Sequence, residues 1–233
     1  QSQFQSLYGS APGSIEVVAP GVERAFFSPG DRRGARHALG LGSGPMLLFV
    51  GRIQPLKGLE VAVRTLAEIG RNDAQLIVVG GASGAEGATE LARVEALIQE
   101  LGLVGRVRFY EPQPHHLLST FYRAADVVLV PSRSESFGLV ALEAAACGIP
   151  VVATAVGGLL NLIEDGKTGF LVPGRDVSGF ARFTRRLLDD SLLAISMGTA
   201  AAHRAQAYSW KSAALKARSV YTELLERDLV ACS

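Results

Sequence analysis

Short apolar runs rich in β-branched residues alternate along this 233-residue chain with longer segments in which apolar residues recur at helical spacing. Alternation of this kind is typical of a parallel sheet with crossover helices. The runs are almost continuously apolar, so we expect the sheet to be buried on both faces. The predicted strands are IEVVA from Ile15, MLLFV ending at Val50, QLIVV ending at Val79, RVRFY ending at Tyr110, DVVLV ending at Val130, PVVAT ending at Thr154 and GFLV ending at Val172.

Helices are predicted between the strands, at LEVAVRTLAEI, ATELARVEALIQELG, HLLSTFYRAA, GLVALEAAACG and GLLNLIEDG. From about Val177 onward the pattern is helical, and it ends in YSWKSAALKARSVYTELLERDL. The sequence therefore predicts an α/β protein with a doubly wound, Rossmann-like parallel sheet and extra C-terminal helices. Ligands bind such sheets outside the carboxyl ends of the strands. Functional residues are thus expected just after Val50, Val79, Tyr110, Val130 and Thr154.

The ends of the chain depart from the alternating pattern, and we divide the sequence into three segments. Residues 1–13 are predicted to be a linker remnant, residues 14–190 the Rossmann-like domain, and residues 191–233 helices that pack on it. Because the sequence begins at Gln1 without a methionine, we expect it to be a fragment of a larger protein.

The charge balance excludes some classes of partner. Lys and Arg number 23 against 22 Asp and Glu, so the formal net charge is +1 and no broad basic field can attract nucleic acid or an anionic membrane. No apolar run reaches the roughly 18 residues of a transmembrane helix. Cys147 and Cys232 lie far apart and in no metal-ligand spacing, which predicts a reducing, cytoplasmic setting without disulfides or a metal site.

The loop after Val50 reads GRIQPLKG and carries two cations, Arg52 and Lys57, around a turn that leads into the next helix. Gly51 permits an unusual backbone conformation at the start of the loop. Two cations beside a helix N-terminus predict an anion site suited to a phosphate or a diphosphate. From this segment alone, a pair of solvated surface cations is an equally good interpretation.

The loop after Val130 opens the segment PSRSESFGLVALEAAACGIPVVA, which contains two glutamates eight residues apart. Glu135 lies in the loop, and Phe137, Gly138 and Leu139 are predicted to form the first helical turn, whose free N–H groups can meet phosphate or sugar oxygens. Glu143 lies in an otherwise small and apolar helix, where a buried carboxylate needs a partner. A carboxylate can accept two hydrogen bonds from a vicinal diol such as the ribose hydroxyls, which favours a binding role for Glu143.

Three further signals are weaker. In AVGGLLNLIEDG, Gly157 and Gly158 either let a ligand approach the backbone or serve a simple turn. The segment VVGGASGAEGAT lacks both the lysine of a P-loop and a G-x-G-x-x-G pattern, so it predicts neither a P-loop nor a dinucleotide site. His115 and His116 open a helix without metal-ligand spacing to the other histidines, and surface roles are favoured for them.

Taken together, GRIQPLKG, VRFYEP and SRSESFGLVALEAAACGIPVVATAVGGLLNLIEDGKTGFLV resemble the C-terminal domain of the family 4 glycosyltransferases, which have the two-domain GT-B fold. The resemblance runs from about Ile15 to the final helix. Its most specific part is the E-x(7)-E pattern of Glu135 and Glu143 within ESFGLVALEA. Within the family, GRIQPLK and PSRSESFGLVALEAAACG are most similar to the inositol-phosphate N-acetylglucosaminyltransferases of mycothiol synthesis, with enzymes like sucrose-phosphate synthase next.

The resemblance implies a role for each matching residue. Arg52 and Lys57 match the pair that binds the donor diphosphate and stabilises the departing UDP. Glu143 matches the carboxylate on the ribose hydroxyls, and Glu135 matches the residue that holds the donor sugar near its 3-hydroxyl. The implied catalytic residues are Arg52, Lys57 and Glu135. The implied donor-binding residues are Gly51, Arg52, Lys57, Tyr110, Glu111, Glu135, Ser136, Phe137, Gly138, Leu139 and Glu143, with backbone groups around Tyr110 to Pro112 recognising the base.

The implied activity is retaining transfer of a sugar from a UDP-sugar, for example UDP-N-acetylglucosamine, to a hydroxyl acceptor such as an inositol phosphate or a sugar. The acceptor is expected to bind an N-terminal domain that this chain lacks, so we expect the chain alone to be inactive. No cofactor is implied, although magnesium can accompany the diphosphate. Two alternatives stay open, namely a non-catalytic nucleotide-sugar-binding module and a GT-B epimerase of UDP-N-acetylglucosamine.

Overall fold

A computed structural model of the chain describes the backbone of residues 15–231 and the side chains of residues 15–225. The predicted linker remnant at 1–13 and Cys232 lie outside the described residues. The strands of the described part are β1 (Met46–Val50), β2 (Gln75–Val79), β3 (Val107–Tyr110), β4 (Val127–Val130), β5 (Val151–Thr154) and β6 (Gly169–Val172). Its helices are α1 (Arg32–Ala38), α2 (Leu59–Glu68), α3 (Gly87–Glu100), α4 (His115–Ala124), α5 (Leu139–Ala146), α6 (Leu159–Leu162), α7 (Val177–Asp189), α8 (Ser191–Ala205) and α9 (Trp210–Ala231).

The strands form one parallel sheet in the order β3-β2-β1-β4-β5-β6. β1 pairs with β2 in register from Met46 opposite Gln75 to Val50 opposite Val79, and it pairs on its other side with β4. The chain thus builds outward from β1 to β3, returns to place β4 beside β1, and then builds outward in the opposite direction. This topology confirms the predicted doubly wound fold, and it puts the topological switch point between β1 and β4.

Both faces of the sheet are buried, as the nearly continuous apolar runs predict. In β1, Leu47, Leu48 and Phe49 are each at most 2% exposed, although successive side chains of a strand point to opposite faces. Helices α2 and α7 pack together over one face, and α4 and α5 contact the strands from the other. The loops into α2 and α5 both begin at the carboxyl edge of the sheet, because they follow the neighbouring strands β1 and β4.

The predicted strand IEVVA is wrong. Residues 15–20 belong to no strand of the described structure, and Val17 is 61% exposed. An apolar run becomes a strand where a neighbouring strand offers its backbone groups and a packed face, and the sheet ends at β3 and β6 without this segment.

Two helices also differ from the sequence prediction. The segment GLLNLIEDG forms only the single turn of α6, because the chain turns at Glu164, whose N–H donates to Thr168 Oγ1 at 2.8 Å, and at Gly166, which has φ +74°. Helix α1 was not predicted. It is short and mostly polar, and Asp31 caps it by accepting the N–H groups of Arg33 and Gly34.

The described residues form two compact units. Residues 24–206 make up the first, which contains the whole sheet, and residues 15–23 with 207–231 make up the second. Within the second unit, Lys216 pairs with Glu16 at 3.1 Å, and Trp210 and Tyr221 are exposed. The predicted domain boundaries at 13 and 190 stay predictions.

Among residues 15–231, none of the helices combines the length and the hydropathy that a membrane span requires. The reducing, cytoplasmic setting stays a prediction.

Candidate functional site

The loops after β1 and β4 lie side by side at the switch point. The N–H of Arg133, after β4, donates to the carbonyl of Leu56, after β1, at 2.8 Å. Gly58, which precedes α2, has φ +73° and lies so close to the carbonyl of Pro131 that a side-chain carbon there would overlap it. The two segments that sequence patterns singled out are therefore parts of one surface.

The loop after β1 is also held against the loop after β2. The N–H of Ile53 donates to the Gly81 carbonyl at 2.9 Å. Gly80 has φ +151°, and a Cβ on it would overlap the carbonyl oxygen of Gly51. A residue with a side chain at position 80 would separate the two loops, so the shape of the GRIQPLKG loop depends on this glycine.

Lys57 and Glu135, 78 residues apart in sequence, form an ion pair at this surface. Lys57 Nζ donates to Glu135 Oε2 at 2.7 Å, and the side chains are 22% and 18% exposed. Ser132 Oγ donates to the same carboxylate oxygen at 3.3 Å. Glu135 is thus held beside a cation. An anion that binds Lys57 from solvent either shares the Lys57 ammonium group with the Glu135 carboxylate or displaces the carboxylate from it.

Arg52 occupies a different environment. Its side chain is exposed, and among residues 15–225 no carboxylate forms an ion pair with it. The structure therefore brings Lys57 to Glu135 but leaves Arg52 as an uncompensated charge on the same loop.

Gly157 and Gly158, after β5, pack directly against the backbone of the loop that carries Glu135. The N–H of Gly158 donates to the carbonyl of Glu135 at 2.9 Å. A Cβ on Gly157 would overlap that carbonyl oxygen, and a Cβ on Gly158 would overlap the backbone of Ser136 and Phe137. Close packing of two loops requires these glycines, which neither the turn nor the ligand interpretation of the sequence included.

Helix α5 begins later than predicted. Phe137 and Gly138 precede it, because Gly138 adopts φ +101° as the N-cap and the helix starts at Leu139. Leu139 is exposed, and Leu142 is the first residue whose N–H bonds back to Gly138, so the preceding N–H groups of the turn have no partner within the helix. The predicted helix N-terminus near Glu135 exists, but it is displaced by two residues.

Glu143, on α5, has the partner that a buried carboxylate needs. Tyr122 Oη, from α4, donates to Glu143 Oε2 at 2.7 Å. Burial raises the pKa of Glu143, while the Tyr122 hydrogen bond and the charge of His115 act in the opposite direction. This carboxylate is therefore easier to protonate than a solvated glutamate.

The residues matched to base recognition lie further along the same edge. Tyr110 ends β3, the edge strand, and its ring packs edge-on against Phe121 with centroids 5.0 Å apart. Its hydroxyl is buried and has no hydrogen-bond partner among residues 15–225, and Glu111 is exposed. The N–H of Gly80 donates to the Tyr110 carbonyl at 2.9 Å, which links this position to the loops at the switch point.

Sequence reasoning missed Ser132, Arg133 and Tyr122. Ser132 bonds to Glu135 within one turn, Arg133 bonds to the loop after β1, and Tyr122 bonds to Glu143 on the next helix. Tyr122 in particular looks like an ordinary core aromatic of an amphipathic helix, and no local signal indicates that its hydroxyl reaches α5. Within the described part of the chain, no group of three or more His, Cys, Asp or Glu side chains is arranged to hold a metal ion.

A doubly wound sheet with charged side chains at its switch point defines a Rossmann-like protein that can hold an anionic ligand. Residues 31–204 match the family described as glycosyl transferases group 1. The chain is 47% identical over 230 residues to the D-inositol 3-phosphate glycosyltransferase of Acidothermus cellulolyticus, which covers 96% of this chain and 51% of that protein. It is 48% identical over 215 residues to the protein of the same name from Mycobacterium tuberculosis (strain F11), covering 90% of this chain and 44% of that one.

Solved structures agree with the sequence relatives. Sucrose-phosphate synthase from Thermosynechococcus elongatus superposes with a TM-score of 0.87 at 37% identity, over 100% of this chain and 57% of that one. The Anabaena protein HepE, in complex with UDP-glucose, superposes with a TM-score of 0.86 at 25% identity, over 92% and 59%. The chain belongs to the group 1 glycosyl transferase family, which confirms the resemblance seen in the sequence. It spans about half the length of the curated relatives it matches.

Proposed function

We propose that this chain is the donor-binding part of a retaining glycosyltransferase and that its switch-point surface binds a UDP-sugar. The observation that carries the proposal is the meeting of the loops after β1 and β4, which places Lys57 and Glu135 2.7 Å apart near the start of the helix that carries Glu143. Along this edge, the cation Lys57 suits the diphosphate of such a donor, Glu135 suits the sugar, and Glu143 suits the ribose.

The names of similar proteins support the choice of donor. HepE is solved with UDP and with UDP-glucose. The two sequence relatives reported above carry the name D-inositol 3-phosphate glycosyltransferase. We therefore propose a UDP-sugar such as UDP-N-acetylglucosamine as donor, and an inositol phosphate or sugar hydroxyl as acceptor, bound by a second domain.

The electrostatics of the site suit departure of a nucleoside diphosphate. Cleavage of the glycosidic bond builds negative charge on the β-phosphate, and fixed cations stabilise that charge more than they stabilise the bound ground state. Arg52 and Lys57 supply the cations. Glu135 is proposed to hold the sugar near its 3-hydroxyl, and we propose that the acceptor attacks from the face that the leaving group vacates, which retains the anomeric configuration.

Thermal unfolding of the chain with UDP, UMP, ADP and GDP tests donor binding. A ligand at a hundred times its dissociation constant adds about 2.7 kcal/mol to the free energy of unfolding, worth about 5–10 °C in a chain of this size. The largest shift is expected with UDP. Cooperative unfolding with no shift for any of the four nucleotides contradicts donor binding.

Transfer itself requires an acceptor and separates the proposed enzyme from its alternatives. We expect transfer to an inositol phosphate after a separately expressed N-terminal half of a relative is added. Intact UDP binding with persistent inactivity favours a non-catalytic module. An epimerised UDP-N-acetylglucosamine, detected by NMR without any acceptor, favours an epimerase.

The two glutamates are expected to respond differently to alanine substitution. Glu143→Ala weakens UDP and UDP-N-acetylglucosamine alike, by about tenfold each, because the ribose is common to both ligands. Glu135→Ala weakens the UDP-sugar but leaves UDP affinity unchanged or higher, because it frees Lys57 for the phosphates. Calorimetric titration of both ligands measures the difference.

The matched control is Glu164→Ala, which removes an exposed glutamate that pairs with Lys167 in the turn between α6 and β6. It is expected to change neither affinity, because exposed ion pairs contribute little. Equal losses of UDP and UDP-sugar in Glu135→Ala contradict the assignment of Glu135 to the sugar.

A further inference from the structure

Tyr122 places a buried hydroxyl on the carboxylate of Glu143. The tyrosine is 0% exposed, and its ring packs edge-on against Phe27 with centroids 5.8 Å apart. Its Oη donates to Glu143 Oε2 at 2.7 Å. Because the ring is fixed by packing and the hydroxyl has a single carboxylate partner, the position of Glu143 Oε2 is fixed as well.

Packing alone does not explain a tyrosine at position 122. A hydroxyl buried without a hydrogen bond destabilises a fold, and phenylalanine fills an apolar position without that cost, as Phe121 does beside it. The hydroxyl at 122 therefore gains its partner across the boundary between α4 and α5. The carboxylate gains a donor on Oε2, and this hydrogen bond does not involve its other oxygen, Oε1.

We propose that Tyr122 is a positioning residue for nucleotide recognition, holding Glu143 so that its carboxylate accepts hydrogen bonds from the vicinal diol of the bound nucleotide's ribose. Tyr122 acts through Glu143 and does not touch the ligand. The proposal rests on the proposed function, because it takes the ribose of a UDP-sugar as the diol. A carboxylate already held in the bound orientation loses less conformational freedom when the ligand arrives, so Tyr122 strengthens binding of any nucleotide that carries both hydroxyls.

The charges around Glu143 give the proposal a second readout. Burial raises the pKa of Glu143, and Tyr122 and His115, both on α4, act in the opposite direction. Burial raises the thiol pKa of Cys147, the C-cap residue of α5, to about 12, so this thiol stays neutral. Loss of the Tyr122 hydroxyl removes one lowering contribution, so the pKa of Glu143 rises further in Tyr122→Phe. As the pH falls, Glu143 becomes protonated at a higher pH in this variant than in the wild type.

The test compares two ligands that differ in the diol alone. Calorimetric titration of the full chain uses UDP and 2′,3′-dideoxyuridine diphosphate. Tyr122→Phe keeps the ring and its contact with Phe27, and it is expected to weaken UDP about tenfold while the dideoxy ligand changes less than twofold. Its UDP affinity is expected to decline at a higher pH than that of the wild type. In a Glu143→Ala background, Tyr122→Phe is expected to add no further loss.

Thr184→Val is the matched control, because it removes another fully buried hydroxyl, on α7 over the opposite face of the sheet. It is expected to leave both affinities unchanged. Equal losses of the two ligands in Tyr122→Phe, no loss of either, or an unshifted pH profile overturns the positioning role. A wild-type chain that binds UDP no better than the dideoxy ligand overturns the ribose assignment of Glu143 as well, and one that binds neither overturns the proposed function.

Discussion

Lys57→Ala is expected to lower the affinity for UDP by about tenfold to a hundredfold, the largest loss of any single charge in the site. A hydrogen bond to a charged group contributes about 1.5–3 kcal/mol, and each 1.4 kcal/mol is about tenfold in affinity. The substitution also leaves the half-buried Glu135 without its cation, 2.7 Å away in the free protein, so that an uncompensated carboxylate faces the incoming phosphates. Calorimetric titration with UDP and with uridine measures the effect.

Uridine carries no phosphate, and its affinity is expected to change less than twofold. The double variant Lys57→Ala with Glu135→Gln removes both charges and is expected to bind UDP better than Lys57→Ala, since the repulsive carboxylate is gone. Lys167→Ala removes an exposed lysine paired with Glu164 and serves as the control. If Lys57→Ala lowers the affinities for UDP and for uridine equally, Lys57 affects binding by stabilising the fold and not by contacting the diphosphate.

Gly158→Ala is expected to lower the free energy of unfolding by about 2–3 kcal/mol and to reduce UDP-sugar affinity by at least about a hundredfold. The new methyl group would overlap the backbone of Ser136 and Phe137, which has no flexible end that can move aside. Gly158 already has φ −64°, a conformation that alanine adopts readily, so the effect comes from crowding and not from backbone strain. The loop that carries Glu135 must shift to make room.

Thermal unfolding and UDP-sugar titration measure the two effects, with an expected fall in Tm of about 5–10 °C. Gly42→Ala is the control, since a Cβ there has no atom within 4 Å, and it is expected to leave both quantities unchanged. If Gly158→Ala unfolds at a lower temperature but keeps its UDP-sugar affinity, the position of the Glu135 loop does not depend on this contact.

The strands and the edge that carries the site could be predicted because each depends on local pattern. Six of the predicted strands became β1 to β6, each four or five residues long, and the loops after Val50 and Val130 are neighbours at the switch point. The run at Ile15 is also rich in β-branched residues, but a strand also needs a neighbouring strand, and composition carries no information about that. Helix α5 started at Leu139 because Gly138 uses a left-handed conformation, which glycine permits but does not require.

The contacts within the site could not be predicted, because each joins residues distant in sequence. The pairing of Lys57 with Glu135 depends on the register of β1 and β4 and on the exact lengths of two loops. The hydrogen bond from Tyr122 to Glu143 depends on how α4 packs beside α5. The roles carried over from the family stay predictions for every residue of the candidate site, Lys57, Glu135 and Glu143 included.

Because Arg52 and Lys57 lie in different environments, we expect them to affect different steps of ligand binding, namely association and dissociation. At a distance, Lys57 and Glu135 act as a neutral dipole, whereas the exposed charge of Arg52 is felt by an approaching polyanion out to about one Debye length, roughly 8 Å at physiological ionic strength. Arg52 should therefore govern the association rate and its dependence on salt, whereas Lys57, engaged after contact, should govern the residence time. Stopped-flow measurement of UDP binding at two salt concentrations tests this division. Loss of Arg52 is expected to change kon, and loss of Lys57 is expected to change koff.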